Sequence, residues 1–396
     1  MTHALIRQPG FALLLGLALG TAASLGATAL AEPVLSPLVA MPVAAPNPVL
    51  GADDKIHLAY EVTLVNQSQL LVSIEAIDVV DAANEQVLQH LDWKDVDAKL
   101  RLNSRDEGNV MTPANSGYLF MDVTLAADAK VPPVIAHRFQ LSVKQMKPET
   151  DGPKPPSELS FTGAPVSVGA SAVVIAPPLK GKRWAVGGGC CTAISYHRGA
   201  TLAINGTVHV AERFAIDFVQ LGDDDSLAAG PANQVTSYPY YGTEVLAVAD
   251  GTVASLHDGD PAEVPGKLPE GKSINNAGGN YIVVDIGEGR FAFYAHLQAG
   301  SLKVKEGDEV TQGQVLGLLG NSGNTDTPHL HFHVMDGTSP LEANGLPYTF
   351  AAFEGEGVIT QEAPLFTNGV VTINKNALAG PHKDELPLNL EVVNFP

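Results

Sequence analysis

Between Cys190 and Gly337 the chain is a succession of short apolar and polar alternations punctuated by glycine, with almost no helical periodicity. The runs are "VHVAERFAIDFVQL", "GTEVLAVADGTVASLHDG", "GNYIVVDIGEGRFAFYAHL", "VKEGDEVTQGQVLGLLG" and "PHLHFHVMDG". A period of two sends successive side chains to opposite faces, which suits a sheet with one buried face and not the stripe of a helix. The stretch therefore predicts an all-β, mostly antiparallel core. Upstream, "IHLAYEVTLVNQSQLLVSIEAIDVVDA", "GYLFMDVTLAAD" and "HRFQLSVKQM" repeat the alternation around turn-prone breaks, and predict an antiparallel β-sandwich. No grouping of His, Asp, Glu or Cys in that region reads as catalytic, so it is expected to be an accessory domain.

At 396 residues the chain has room for two or three domains of about 150 residues each. Residues 1–31 read as a signal peptide: Arg7 gives the positive start, "FALLLGLALG" the apolar run and "ALA" the small-residue cleavage site. Residues 32–50 are expected to be a Pro/Ala-rich linker and 51–180 the sandwich. After the Pro/Gly-rich boundary "APPLKGKRWAVGGG", residues 190–350 form the second domain and 351–396 a C-terminal extension. Export to the periplasm or the extracellular medium follows, and no other stretch reaches the ~18 apolar residues of a membrane span. Acidic residues outnumber basic ones 43 to 23, for a formal charge of −20, which opposes association with nucleic acid or anionic lipid. The adjacent Cys190 and Cys191 make no disulfide framework and read as structural or redox-labile.

In "PHLHFHVMDG", His329, His331 and His333 occupy every second position. On a strand, all three rings share a face, as a metal or proton-transfer site requires.

Taken in order, "GTEVLAVADGTV", "GNYIVV", "FYAHL", "VKEGDEVTQGQVLGLLGNSGN" and "PHLHF" resemble the LytM-type, lysostaphin-like zinc metallopeptidases, which cut peptide cross-links of bacterial cell walls and have a duplicated hybrid motif fold. The resemblance covers only the second domain. It implies one zinc ion held by Asp217 of "RFAIDF" and by His331, with His296 of "YAHL" and His329 as the catalytic pair. It also implies peptidoglycan cross-links, or glycine-rich peptides, as substrate. Where the family has its first His ligand, four residues before Asp217, this chain has Arg213. A guanidinium has no lone pair to donate. Two histidines could replace it. His333 shares a face with His331 and sits ~7 Å further along the strand. His197 lies beyond the Asn205-Gly206 hairpin signal; continued pairing sets it against Phe214 and Asp217 against Ile194, so that His197 points away from Asp217. His333 therefore ranks ahead. Alternatively Arg213 pairs with Asp217 or clamps a carboxylate, and the domain is a silent relative that binds wall peptides or regulates another hydrolase. By ligand counting, Arg213→His is expected to rebuild the family's zinc site.

Overall fold

The computed structural model describes residues 33–104, 108–146, 157–191, 194–367 and 369–396. The predicted leader, residues 1–31, lies outside the described residues. From Ser36 to Pro396 the chain forms one compact unit. It is all-β, as the alternation predicts: an N-terminal sandwich is followed by a large antiparallel sheet. Among the described residues no helix is long and apolar enough to cross a membrane.

One layer of the sandwich is built on Lys55–Asn66 and Ser116–Ala126, the other on Leu70–Asp81 and Val134–Gln145. Leu58, Tyr60, Val62 and Leu64 alternate onto the inner face and meet Ile74, Ile77, Phe139 and Leu141 of the opposite layer. Residues 32–50, expected to be a linker, contribute two strands instead, Leu38–Pro42 and Asn47–Leu50, both paired with Lys55–Asn66. Proline survives there because an edge strand need not donate every ladder hydrogen bond.

The outer face of Lys55–Asn66 is also covered. Ala59 belongs, with Val49 and Ala52, to the apolar core of the C-terminal sheet. His57 and Glu61 are buried on that same side, Glu61 completely. A strand that reads as half solvent-facing thus forms the contact between the two halves of the unit.

The C-terminal sheet runs in the order Gly251–His257, Asn280–Asp285, Phe291–Leu297, Leu330–Met335, Ile216–Gln220, Gly181–Gly187, Glu391–Phe395, Phe353–Ile359. Two expectations are corrected here. The "KRWAVGG" boundary is an interior strand, and the 351–396 extension supplies two neighbouring strands, Glu391–Phe395 pairing with Gly181–Gly187 and with Phe353–Ile359. Both were obscured because their partners lie far away in sequence. Cys190 and Cys191, which follow the first of these strands, are joined to each other by a disulfide.

A buried polar pair makes sandwich stability pH-dependent. The Tyr60 hydroxyl lies 2.6 Å from His137 Nε2, and both side chains are buried. Burial pushes the His137 imidazole down from 6.5 to about 4, so it stays neutral and accepts the Tyr60 proton. The unfolded chain takes up a proton near 6.5 and the folded one only near 4. Stability is therefore present above pH 6.5 and is lost as pH falls between those values, by on the order of 3 kcal/mol. Urea unfolding at pH 7 and pH 4.5 measures this, and His137→Gln, which keeps an acceptor but cannot titrate, is expected to flatten the difference. An unchanged pH slope in that variant would reject the assignment.

Candidate metal and catalytic centre

The Ile216–Gln220 and Leu330–Met335 strands are neighbours, and their register sets Asp217 directly opposite His331. Asp217 Oδ1 is 2.9 Å from His331 Nδ1 and 3.3 Å from His329 Nε2. His296 reaches the same face by a break in the sheet. Its predecessor Ala295 is the cross-strand partner of His331, so simple alternation would turn the His296 ring away. Its φ of 62° lies in the left-handed region that non-glycine residues seldom adopt, and this restores the ring to the site side. The ring centroid lies 4.5 Å from that of His329 and 5.9 Å from that of His331. His296 Nδ1 donates to Ser322 O at 2.7 Å. Ser322 comes that near because Gly279 has no Cβ: one built there would lie 2.4 Å from the Ser322 carbonyl.

His197 stands where the hairpin argument did not put it. Its Nε2 is 3.3 Å from Asp217 Oδ2, and its ring meets the His331 ring edge-on at 5.0 Å between centroids. The hairpin does have the expected register, but pairing is confined to Leu202–Ile204 with Thr207–His209. Beyond it the chain turns through 196–199, so the two-faced rule of a strand no longer applies. His197 Nδ1 lies 3.0 Å from Gly188 O and 3.1 Å from Ala215 O, which fixes the proton on that nitrogen and aims Nε2 at Asp217.

His333, ranked first as the replacement ligand, is held elsewhere: its Nδ1 is 2.9 Å from His331 Nε2, the side of that ring opposite Asp217. Arg213 does not pair with Asp217. Its Nε and Nη2 both lie 2.7 Å from Glu61 Oε2 in the sandwich, and Nη1 donates to Gly345 O at 3.0 Å. Arg198, the residue after His197, donates to Glu61 Oε1 from Nη2 at 3.1 Å. Burial alone would raise the Glu61 carboxyl, but the two guanidiniums hold it ionised, below the usual carboxylate range.

Ligand-type atoms of His197, Asp217 and His331 lie within 4.8 Å of one another, and so do those of His296, His329 and His331. Burial works against the Asp217 charge, yet His329 and His197 hold its carboxyl well below the usual range. Burial lowers His197, and Asp217 outweighs this to push it up to about 9. His296 is driven well down by burial and by the neighbouring His329 and His331, so it is neutral. Three residues near the centre escaped the sequence reading. The Tyr196 hydroxyl donates to Asp217 Oδ2 at 3.0 Å, Glu212 lies 4.0 Å from His331 Nε2, and Glu61 of the sandwich accepts from Arg198, the residue after His197. Only Tyr196 carried a signal, as the neighbour of His197.

The arrangement sets two imidazoles and a carboxylate beside a second pair of imidazoles on one face of an antiparallel sheet. A model of peptidase family M23 matches residues 235–343, which include His296, His329, His331 and His333 but neither Arg213 nor Asp217. The chain carries an M23 domain of the LytM, lysostaphin-like type. It is 38% identical over 77 residues to endolysin 2638A of Staphylococcus phage 2638A, covering 19% of this chain and 16% of the endolysin. It is 32% identical over 102 residues to the peptidoglycan DD-endopeptidase ShyA of Vibrio cholerae, 26% of this chain and 23% of that protein. Against the glycyl-glycine endopeptidase ALE-1 of Staphylococcus capitis it is 30% identical over 119 residues, 30% of each chain. The chain thus spans less than a third of the length of these relatives.

Proposed function

We propose that the protein is an exported zinc endopeptidase that hydrolyses peptide bonds in peptidoglycan cross-links. The observation that carries this reading is the convergence of His197, Asp217 and His331 beside the His296 and His329 pair. Two imidazoles and a carboxylate are a donor set suited to zinc. Each imidazole is also oriented from behind, His197 by backbone carbonyls and His331 by His333, as metal-bound histidines usually are. His197 thereby takes the place that Arg213 leaves, and His333 serves as the outer partner of His331. Zinc at this position supplies Lewis acidity towards water and the scissile carbonyl.

The chain's own residues do the rest. Neutral His296, with Nδ1 committed to Ser322 O, presents Nε2 as a proton acceptor. His329, whose Nδ1 is tied to Thr327 O at 2.7 Å, presents Nε2 beside Asp217 and can donate to the oxygen on which negative charge develops. Peptidoglycan as substrate agrees with the relatives named above and with the leader-like residues 1–31.

Metal analysis and wall digestion test the reading together. Protein purified without added zinc is expected to contain one zinc per chain, lose hydrolysis of cross-linked muropeptides to a chelator and regain it with zinc. His197→Ala should weaken zinc binding by more than ~100-fold, beyond the range of outer partners, and His333→Ala by ~10-fold. A metal-free wild type that leaves wall peptides intact would favour the silent relative instead.

A further inference from the structure

We infer that Glu61 of the N-terminal sandwich, acting through Arg198, positions His197 at the metal centre, so that the sandwich is part of the site and more than an appendage to it. The inference rests on the reading of His197 as a metal ligand.

His197 is not on a strand. The turn at 196–199 is closed locally, Gly199 N bonding to Ser195 O at 2.8 Å and Arg198 N to Ser195 Oγ at 3.1 Å. Neither bond belongs to the sheet that carries Asp217 and His331. The next side chain along, Arg198, has no accessible surface and reaches in the opposite sense into the sandwich. There it meets Glu61 Oε1 through Nε at 3.3 Å and Nη2 at 3.1 Å, and Nη2 also lies 2.9 Å from Met121 O and 3.3 Å from Tyr60 O. The guanidinium carbon stands 5.7 Å from the Phe120 ring centroid. All of these acceptors lie on the two paired strands Lys55–Asn66 and Ser116–Ala126. A planar fork held by one carboxylate and two carbonyls fixes its own backbone closely. Because residue 197 is covalently next, fixing Arg198 also fixes where the His197 ring begins.

Glu61 satisfies a second guanidinium with its other oxygen, that of Arg213. The position at which the family has its first ligand is therefore tied to the same carboxylate that anchors the substitute ligand. One sandwich residue accounts for both departures from the family pattern, the diverted Arg213 and the recruited His197.

The experiment is a double-mutant cycle on zinc affinity in the full chain, read by competition with a chromophoric chelator and by the visible spectrum of the cobalt(II) form. Glu61→Gln, confirmed folded by near-UV circular dichroism, is expected to weaken zinc binding 10- to 100-fold and to alter the cobalt spectrum. In a His197→Ala background the same substitution should add no further loss, because the group that it positions is gone. Arg198→Lys, which keeps the charge and loses the fork, is expected to act in the same direction and provides the measurement if Glu61→Gln fails to fold. Folded Glu61→Gln or Arg198→Lys with wild-type zinc affinity would overturn the inference, and so would an additive loss in the double mutant. His197→Ala with undiminished zinc affinity would remove the ligand reading itself, a result recognisably different from the other two.

Discussion

Alanine at His296 or at His329 is expected to lower kcat/KM for cross-linked wall peptides by 10²- to 10⁴-fold while zinc content stays at the wild-type level. The size is that of a lost general acid or base, or of a lost donor to a developing oxyanion. The separation from metal binding follows from the hydrogen bonds. Each ring spends Nδ1 on a backbone carbonyl, Ser322 O for His296 and Thr327 O for His329, leaving only Nε2 to face the centre. Asp217, His331 and His197 already provide three donors without either ring. The two variants should also differ from each other. At His296 alanine keeps the Cβ and with it the left-handed strain, so the stability change there is expected to be that of the lost Nδ1 hydrogen bond to Ser322 O, about 1 kcal/mol. His329 lies 3.3 Å from the half-buried Asp217 carboxylate, and its loss removes one of the cations that keep that carboxylate ionised. Activity on muropeptides, zinc stoichiometry and a urea melt on each variant check all three statements. Zinc lost together with activity in either one would mean that the ring is a ligand.

The sheet at the heart of the site was legible because its signal is local. "GNYIVV", "FYAHL" and "PHLHF" each alternate within a few residues, and the structure has Asn280–Asp285, Phe291–Leu297 and Leu330–Met335 there as adjacent strands. The strands that went unread, Leu38–Pro42, Gly181–Gly187 and Glu391–Phe395, are short or flanked by Pro and Gly, and are defined by partners far along the chain. His296 was legible as a residue type in a motif, but not as a backbone outlier. Two errors have a common cause. Extending a hairpin beyond its last pair misplaces His197, and the alternation around Glu61 singles out no residue there because it says nothing of a second layer covering the outer face of that strand. In each case a rule valid inside one element was carried past the point at which another element takes over.

The substitution Arg213→His is where counting ligands and reading the structure give opposite results. From spacing alone it restores the family's first ligand and tightens zinc. In the fold, Arg213 is buried, with Nε and Nη2 on Glu61 and Nη1 on Gly345 O. Imidazole is shorter and offers two nitrogens on one ring, so it cannot span both acceptors. The change leaves Gly345 O without this donor and Glu61 with Arg198 as its cation. Removing one partner of a buried ion pair costs ~3–5 kcal/mol, and the lower end applies here because Arg198 remains. Arg213→His is therefore expected to destabilise the fold by about 3 kcal/mol in urea unfolding and to leave zinc affinity equal to that of the wild type or weaker. Disturbing Glu61 acts in the same direction, since the carboxylate that loses one guanidinium also anchors the residue next to His197. A variant that binds zinc more tightly, with stability unchanged, would show that position 213 faces the metal after all and that His197 is not the third ligand.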